Sequence, residues 1–386
     1  MINQLKINNK DSIGILGSGL MGHGIAYSAA IEGFQVLMLD LTKEKATRGL
    51  QNIYQILEKS FKKGFISKQE LDDIKSRIEI SYDYEMLKTK KIVIEAIYED
   101  LDVKTKAIKI AEEYMNPNGF LASNTSTIPI SILASKLINP QNFIGLHFFS
   151  PVHKMKLVEV VKGQKTSSGT LSRALNFTLQ IRKTPIVVND SPGFYTTRVF
   201  VKYPFEGMAM LNEGIKASSI ELAGKKAGYP VGPLALSDEV NIALIGKIRK
   251  QIIKYDKQNS NGPWDKVIEL MVINLNREGR SGTGGFYDYP MNQKKHIWKS
   301  LEKHFPVLAN GIPEKDIIDR LIFSQILEAI SCFEKNIITS VQDANIGSIL
   351  GLGFPSDSGG ILQFVNNYGV LKFRDRSLQL TERYGK

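Results

Sequence analysis

The sequence predicts an α/β protein, with an amino-terminal doubly wound parallel sheet followed by an all-α carboxy-terminal region of two repeated helical lobes. Three observations carry that prediction. Short apolar runs alternate with helical spacing as far as about Asp190, a glycine cluster follows the first run, and beyond Asp190 the apolar period turns helical and a set of landmarks recurs. With 386 residues, the chain is long enough for two to three domains, each with its own core.

Ser12 to Leu16 reads as a buried parallel strand, and the small and apolar residues from Ile25 to Ile31 as a helix packed on a sheet. Phe34 to Leu39 is a second strand. Lys43 to Lys63 has helical spacing through Ile53, Ile56, Leu57 and Phe61. Lys91 to Ile97 is a third strand, with a helix after it from about Asp102 to Met115. Phe120 to Ser123 and Phe143 to His147 are further strands, and the alternation implies crossover helices. Ser191-Pro192-Gly193 is a breaker, and the polar stretch from Tyr289 to Lys315 holds Pro290, Pro306 and Pro313. The predicted organisation is a dinucleotide-type domain over 1–190, a helical lobe over 191–290, a linker over 291–315 and a second lobe over 316–386. The second lobe reads as a repeat of the first. Leu211 to Ile215 leads to Gly228-Tyr229-Pro230, as Phe333 to Ile337 leads to Gly353-Phe354-Pro355.

Gly17-Ser18-Gly19-Leu20-Met21-Gly22 fits a phosphate-cradling turn of Rossmann type. Gly17 permits the turn, Gly19 lets a pyrophosphate approach the backbone, and Gly22 lets helix and strand lie close. The helix start at Leu20 and Met21 offers free amides and a positive dipole. Glycine loops also serve as plain turns, but this one follows a strand, opens a helix and precedes Asp40 at the end of the second strand. The Asp40 carboxylate can accept from ribose hydroxyls and would repel a 2′-phosphate, and Leu41-Thr42 offers no arginine, so NAD is expected rather than NADP.

A histidine at the end of an apolar strand, as His147 is, is more often a core group than a catalyst. Leu157-Val158-Glu159-Val160-Val161 supplies the second feature, a carboxylate in the middle of an apolar strand that is costly to bury unless paired. A carboxylate that orients an imidazole is the arrangement of a general base.

These residues resemble the 3-hydroxyacyl-CoA dehydrogenase family. The resemblance runs from about Asp11 to Tyr384 and is carried by the glycine loop, Val93 to Glu99, Ser123 to Thr127, His147 to Val161, Asp190 to Phe194, Gly228 to Pro233 and Gly285-Phe286-Tyr287. The duplicated second half resembles the dehydrogenase portion of multifunctional fatty-acid oxidation enzymes, of the trifunctional alpha-subunit type. Their hydratase domain is expected to be missing, because the first strand begins near the start of the chain. The resemblance implies that His147 is the base, Glu159 its partner, and Ser126 the contact to the reacting oxygen beside the nicotinamide. It implies that Glu99, Lys104 and Asn124 line the cofactor site, together with Ser150, and that Thr197 lies by the substrate. Many single-function members carry asparagine where this chain has Ser150 and Thr197, and both replacements resemble the trifunctional-type branch.

The expected function is NAD-dependent oxidation of L-3-hydroxyacyl-CoA in fatty-acid β-oxidation. The alternatives are a short-chain 3-hydroxybutyryl-CoA enzyme run as an acetoacetyl-CoA reductase, and a catalytically weak NAD-binding or interaction protein. The net charge of +11 suits an anionic acyl-CoA, yet the basic residues are spread thinly without interleaved aromatics, so no nucleic-acid role is expected. No apolar run reaches the roughly 18 residues of a membrane span, Met1 to Lys6 has no signal core, and Cys332 is the only cysteine. A cytoplasmic protein without metal is expected. It is expected to be a monomer or weak homodimer, with a separate hydratase or thiolase as possible partners.

Overall fold

A computed structural model describes residues 12–256, 262–309 and 311–385. The segment Met1 to Lys6, expected to lack a signal core, and Asp11 lie outside the described residues. The chain forms two compact units, Met1–Phe194 and Tyr195–Lys386.

The first unit runs β1 (Ser12–Leu16), α1 (Leu20–Ile31), β2 (Gln35–Leu39), α2 (Lys43–Lys62), α3 (Lys68–Ser76), β3 (Ile78–Ser81), β4 (Ile92–Glu95), α4 (Leu101–Tyr114), β5 (Phe120–Ser123), α5 (Ile130–Ala134), β6 (Phe143–Phe148), β7 (Leu157–Lys162), α6 (Ser168–Gln180) and β8 (Thr184–Asn189). The strands form one sheet in the order β3-β2-β1-β4-β5-β6-β7-β8. The central strands β1, β4 and β5 are apolar and almost wholly buried, as a sheet covered on both faces requires. Every pairing is parallel except β6 with β7.

The antiparallel pair departs from the all-parallel sheet that the alternation implied. It arises because residues 149–156 return the chain without a helix, a connection too short for a parallel crossover. The helix α1 starts at Leu20, earlier than its apolar spacing suggested. It is buried from Gly22 to Ala30, so it shows little polar face to read. On α2, Ile53 and Leu57 are buried while Phe61 is exposed, so the amphipathic stripe ends one turn early. The edge strands β3 and β8 mix polar with apolar residues, which hides them from an apolar-run criterion.

The second unit contains α7 (Thr196–Asn212), α8 (Ala217–Lys226), α9 (Pro233–Val240), α10 (Ile242–Tyr255), α11 (Pro263–Glu269), a two-stranded ribbon of β9 (Tyr287–Asp288) and β10 (His296–Ile297), α12 (Leu301–His304), α13 (Glu314–Glu334), α14 (Val341–Leu352), α15 (Ile361–Tyr368) and α16 (Val370–Tyr384). The ribbon is a small addition to an otherwise helical region. Buried Asp238 holds it by accepting from Phe286 N, Tyr287 N and the Tyr289 hydroxyl at 2.9, 2.8 and 3.1 Å.

The sequence repeat has a structural counterpart. Aligning Leu211–Ile215 with Phe333–Ile337 sets Arg198 and Glu206 of α7 against Arg320 and Glu328 of α13. The partners are exchanged, since Arg198 Nε meets Glu328 Oε1 at 2.8 Å and Arg320 Nε meets Glu206 Oε1 at 2.6 Å. The turns after both helices use a left-handed residue at the same place, Gly214 in one and Asn336 in the other. Glu221 accepts from Leu234 N and Ala235 N at the start of α9, and Asn345 accepts from Leu362 N and Gln363 N at the start of α15. Arg320 is further gripped by both oxygens of Glu213, at 2.6 and 2.8 Å. Among the described residues, no helix is long and apolar enough to cross a membrane.

Candidate active site

The parallel strands β1, β2, β4, β5 and β6 all end at one edge of the first unit's sheet, where a doubly wound fold binds its ligands. The glycine loop closes β1 there. Gly17 has φ +95°, and a Cβ on it would lie 2.6 Å from the Ala96 carbonyl oxygen, so only glycine fits. A Cβ on Gly22 would collide with the Gly17 carbonyl, which is the close helix–strand approach its absence permits. At Gly19 a Cβ would meet nothing within 4 Å, so the backbone there is open to a phosphate. Gly19 caps α1 without any side-chain acceptor, which leaves the amides at Leu20 and Met21 for an anion.

Asp40 sits one residue beyond β2, and its carboxylate braces the glycine loop. Oδ2 accepts from Ser18 N at 2.8 Å and from the Ser18 hydroxyl at 2.5 Å, and Oδ1 accepts from Leu41 N at 2.8 Å. A carboxylate offers about four acceptor positions, so one remains for a ribose hydroxyl.

At the ends of β4 and β5 lies a buried ionic cluster of which the sequence reading found only part. Lys104, only 1% exposed, reaches Glu95 Oε1 at 2.6 Å and Glu99 Oε2 at 3.1 Å. Glu99 Oε1 in turn accepts from the Thr125 hydroxyl, Ser126 N and the Thr127 hydroxyl at 2.5, 3.1 and 3.0 Å. Glu99 thereby shapes the loop that carries Ser126. Burial would raise the Glu99 carboxyl, but the Lys104 charge and the Thr125 and Thr127 hydroxyls outweigh it and hold it below the usual range. Burial would lower the Lys104 ammonium, and the two carboxylates outweigh that and hold it above the usual lysine value. Asn124 takes a bracing role: its Oδ1 accepts from Phe148 N at 2.8 Å and so fixes the backbone beside His147.

His147 faces Glu159 across the antiparallel pair, in register. Its Nδ1 lies 2.8 Å from Glu159 Oε2, and Glu159 is fully buried. Phe149 and Phe194 pack on the ring at centroid distances of 4.5 and 6.1 Å and hold its plane. Ser126 follows β5 and His147 lies near the end of β6, two neighbouring parallel strands, so both stand at the same edge. Ser150 is exposed just past β6, on the turn that returns to β7. Thr197 is buried near the start of α7 in the second unit. The open cleft between Lys162, Gln164, Ser168 and Asp190 lies at the opposite edge, where β6 begins, and takes no part in this arrangement. Among the described residues, no group of acidic, histidine and cysteine side chains could hold a metal.

Residues 12–191 match the NAD-binding domain of 3-hydroxyacyl-CoA dehydrogenase and residues 193–289 match its C-terminal domain. The chain belongs to the 3-hydroxyacyl-CoA dehydrogenase family. Members of that family are oxidoreductases, and the matched NAD-binding domain makes NAD the cofactor. The chain is 33% identical over 377 residues to the fatty acid oxidation complex subunit alpha of Vibrio cholerae, covering 97% of this chain and 53% of that protein. It thus spans about half the length of the curated relatives it matches. Among solved structures, 3-hydroxybutyryl-CoA dehydrogenase from Escherichia coli K12 superposes with a TM-score of 0.85 at 25% identity, covering 98% of this chain and 96% of that one. (S)-3-hydroxybutyryl-CoA dehydrogenase from Ralstonia eutropha gives 0.69 at 32% identity, covering 73% and 99%.

For a family member using NAD, the open Gly19, the glycine-only Gly17 and the position left on Asp40 all fit the dinucleotide. NADH is expected to be preferred over NADPH by at least about tenfold, because Asp40 would face a 2′-phosphate with like charge. Asp40→Ala should narrow that preference mainly by weakening NADH, a loss visible in cofactor titrations. Equal use of both cofactors by the unaltered chain would remove Asp40 from this role. Glu95 escaped the sequence reading, although its signal equals that of Glu159: a carboxylate closing an apolar strand, Ile92-Val93-Ile94-Glu95.

Proposed function

We propose that this chain oxidises L-3-hydroxyacyl-CoA to 3-ketoacyl-CoA with NAD, as a step of fatty-acid β-oxidation. The observation that carries the reading is the buried His147–Glu159 pair at the strand edge that also bears the glycine loop. With Nδ1 donating to Glu159, the basic nitrogen of the imidazole is Nε2. The 3-hydroxyl donates to Nε2, and His147 takes its proton as the carbonyl forms. NAD, when bound, supplies the hydride acceptor. The Glu159 carboxylate stabilises the imidazolium that develops, and general base catalysis of this kind contributes about 10²–10⁴-fold. Ser126, set by Glu99, positions the reacting oxygen. Ser150 offers a hydroxyl where an amide is common in the family, which suits a branch with its own way of holding the nicotinamide.

A second reading, a short-chain enzyme run as an acetoacetyl-CoA reductase, is favoured by the likeness to two 3-hydroxybutyryl-CoA dehydrogenases. Following NADH loss with acetoacetyl-CoA and with longer 3-ketoacyl-CoAs separates the two. The β-oxidation reading expects kcat/KM to hold or rise with chain length. Turnover confined to the four-carbon substrate would replace it with the second reading, and no turnover with any substrate would overturn both. An L-3-hydroxyacyl-CoA arises by hydration of an enoyl-CoA, and the ketone product suits thiolytic cleavage, so a hydratase and a thiolase are the fitting partners. A cytoplasmic location, a monomeric or weakly dimeric state, and the absence of nucleic-acid binding complete the proposal.

A further inference from the structure

Lys104 is not matched one-to-one by the carboxylates around it. Glu95 and Glu99 both contact its ammonium, so the cluster holds two acids and one base. Glu95 is the buried member and accepts from three donors: Oε1 from Ile97 N at 2.8 Å and Lys104 Nζ at 2.6 Å, Oε2 from the Ser123 hydroxyl at 2.5 Å. If Glu99 alone faced Lys104, the pair would be neutral. With Glu95 taking the shorter contact, one negative charge is left over. It resides at Glu99, a third exposed, on the carboxylate that also orders Thr125, Ser126 and Thr127.

We infer that Glu95 is a positioning residue that keeps this excess charge at Glu99, and that the charge makes the site favour the oxidised cofactor over the reduced one. The inference rests on the proposed reading that puts the nicotinamide beside Ser126. The ring is a cation in NAD+ and neutral in NADH, so a fixed negative charge nearby discriminates between them. A structural brace would not, because it would serve both forms alike.

The test measures dissociation constants of NAD+ and NADH for the intact chain and for Glu95→Gln, by calorimetry or fluorescence titration without acyl substrate. The substitution should weaken NAD+ by at least roughly tenfold more than NADH, the scale of one unit charge about 12 Å away at an effective dielectric of about 20. Equal weakening of both forms, or no change in their ratio, overturns the inference while leaving the dehydrogenase reading intact. An unaltered chain that binds neither form overturns that reading as well. Should Glu95→Gln fail to fold, Glu99→Gln removes the same excess charge from the partly exposed end. It must also lower the affinity ratio, and an unchanged ratio there is equally decisive.

Discussion

Replacing His147 by alanine is expected to lower kcat by at least about 10²-fold while NAD affinity stays nearly unchanged. The geometry separates the two effects. His147 lies between β7 and the two phenyl rings of Phe149 and Phe194, whereas the residues proposed to hold the dinucleotide belong to the glycine loop, Asp40 and the Lys104 cluster. Alanine therefore deletes the proposed proton acceptor and leaves the proposed cofactor cradle standing. Glu159→Gln should also slow turnover, because an amide cannot offset the imidazolium charge, and its NH2 can face Nδ1 as a competing donor. Steady-state rates set beside cofactor titrations check this. Near-full turnover of His147→Ala would place the base elsewhere.

Ending the chain before Lys315 is expected to convert it to dimers or aggregates. In the full chain the expectation is a monomer, with the second helical repeat occupying the place of a partner subunit. The cut removes α13, and with it Arg320 and Glu328. Glu206 and Arg198 are then left without their reciprocal partners, and Glu213 loses both of its contacts to Arg320. The apolar face of α7, with Val199, Met210 and Leu211 buried in the intact unit, joins them at the surface. Light scattering at micromolar concentration reports the outcome. A truncated chain that stays monomeric and fully active would remove the basis of the expectation, as would a stable two-chain mass for the full-length protein.

What could be read from the sequence depended on whether a residue's role was local. The glycine loop was legible because its three glycines answer to backbone geometry within one turn, and Gly17 and Gly22 have no room for a side chain. The strands with continuous apolar runs, β1, β4 and β5, were legible for the same reason. His147 and Glu159 were each ambiguous alone. Their pairing followed from the cost of burying Glu159, although the antiparallel turn that brings them into register was not foreseen. Glu95 was overlooked because its partners are Lys104 from a later helix and Ser123 from the neighbouring strand, a meeting that depends on strand order. The exchanged arginines were invisible for a like reason. The landmarks gave the alignment of the repeats, and only the packing of α7 on α13 shows which charges cross.

That exchange also bears on how the protein can change over time. In a symmetric dimer one codon sets two places at once, so a substitution at a twofold interface is inherited in duplicate and must suit itself. Here each half of the same arrangement has its own codon. Arg320 has a two-pronged grip on Glu213, while Arg198 is shared between Glu328 and Asp256. The cap on α9 is an acid, Glu221, and the cap on α15 an amide, Asn345. Two such arrangements encoded separately in one chain are free to drift apart, so that one can be reshaped while the other keeps its packing.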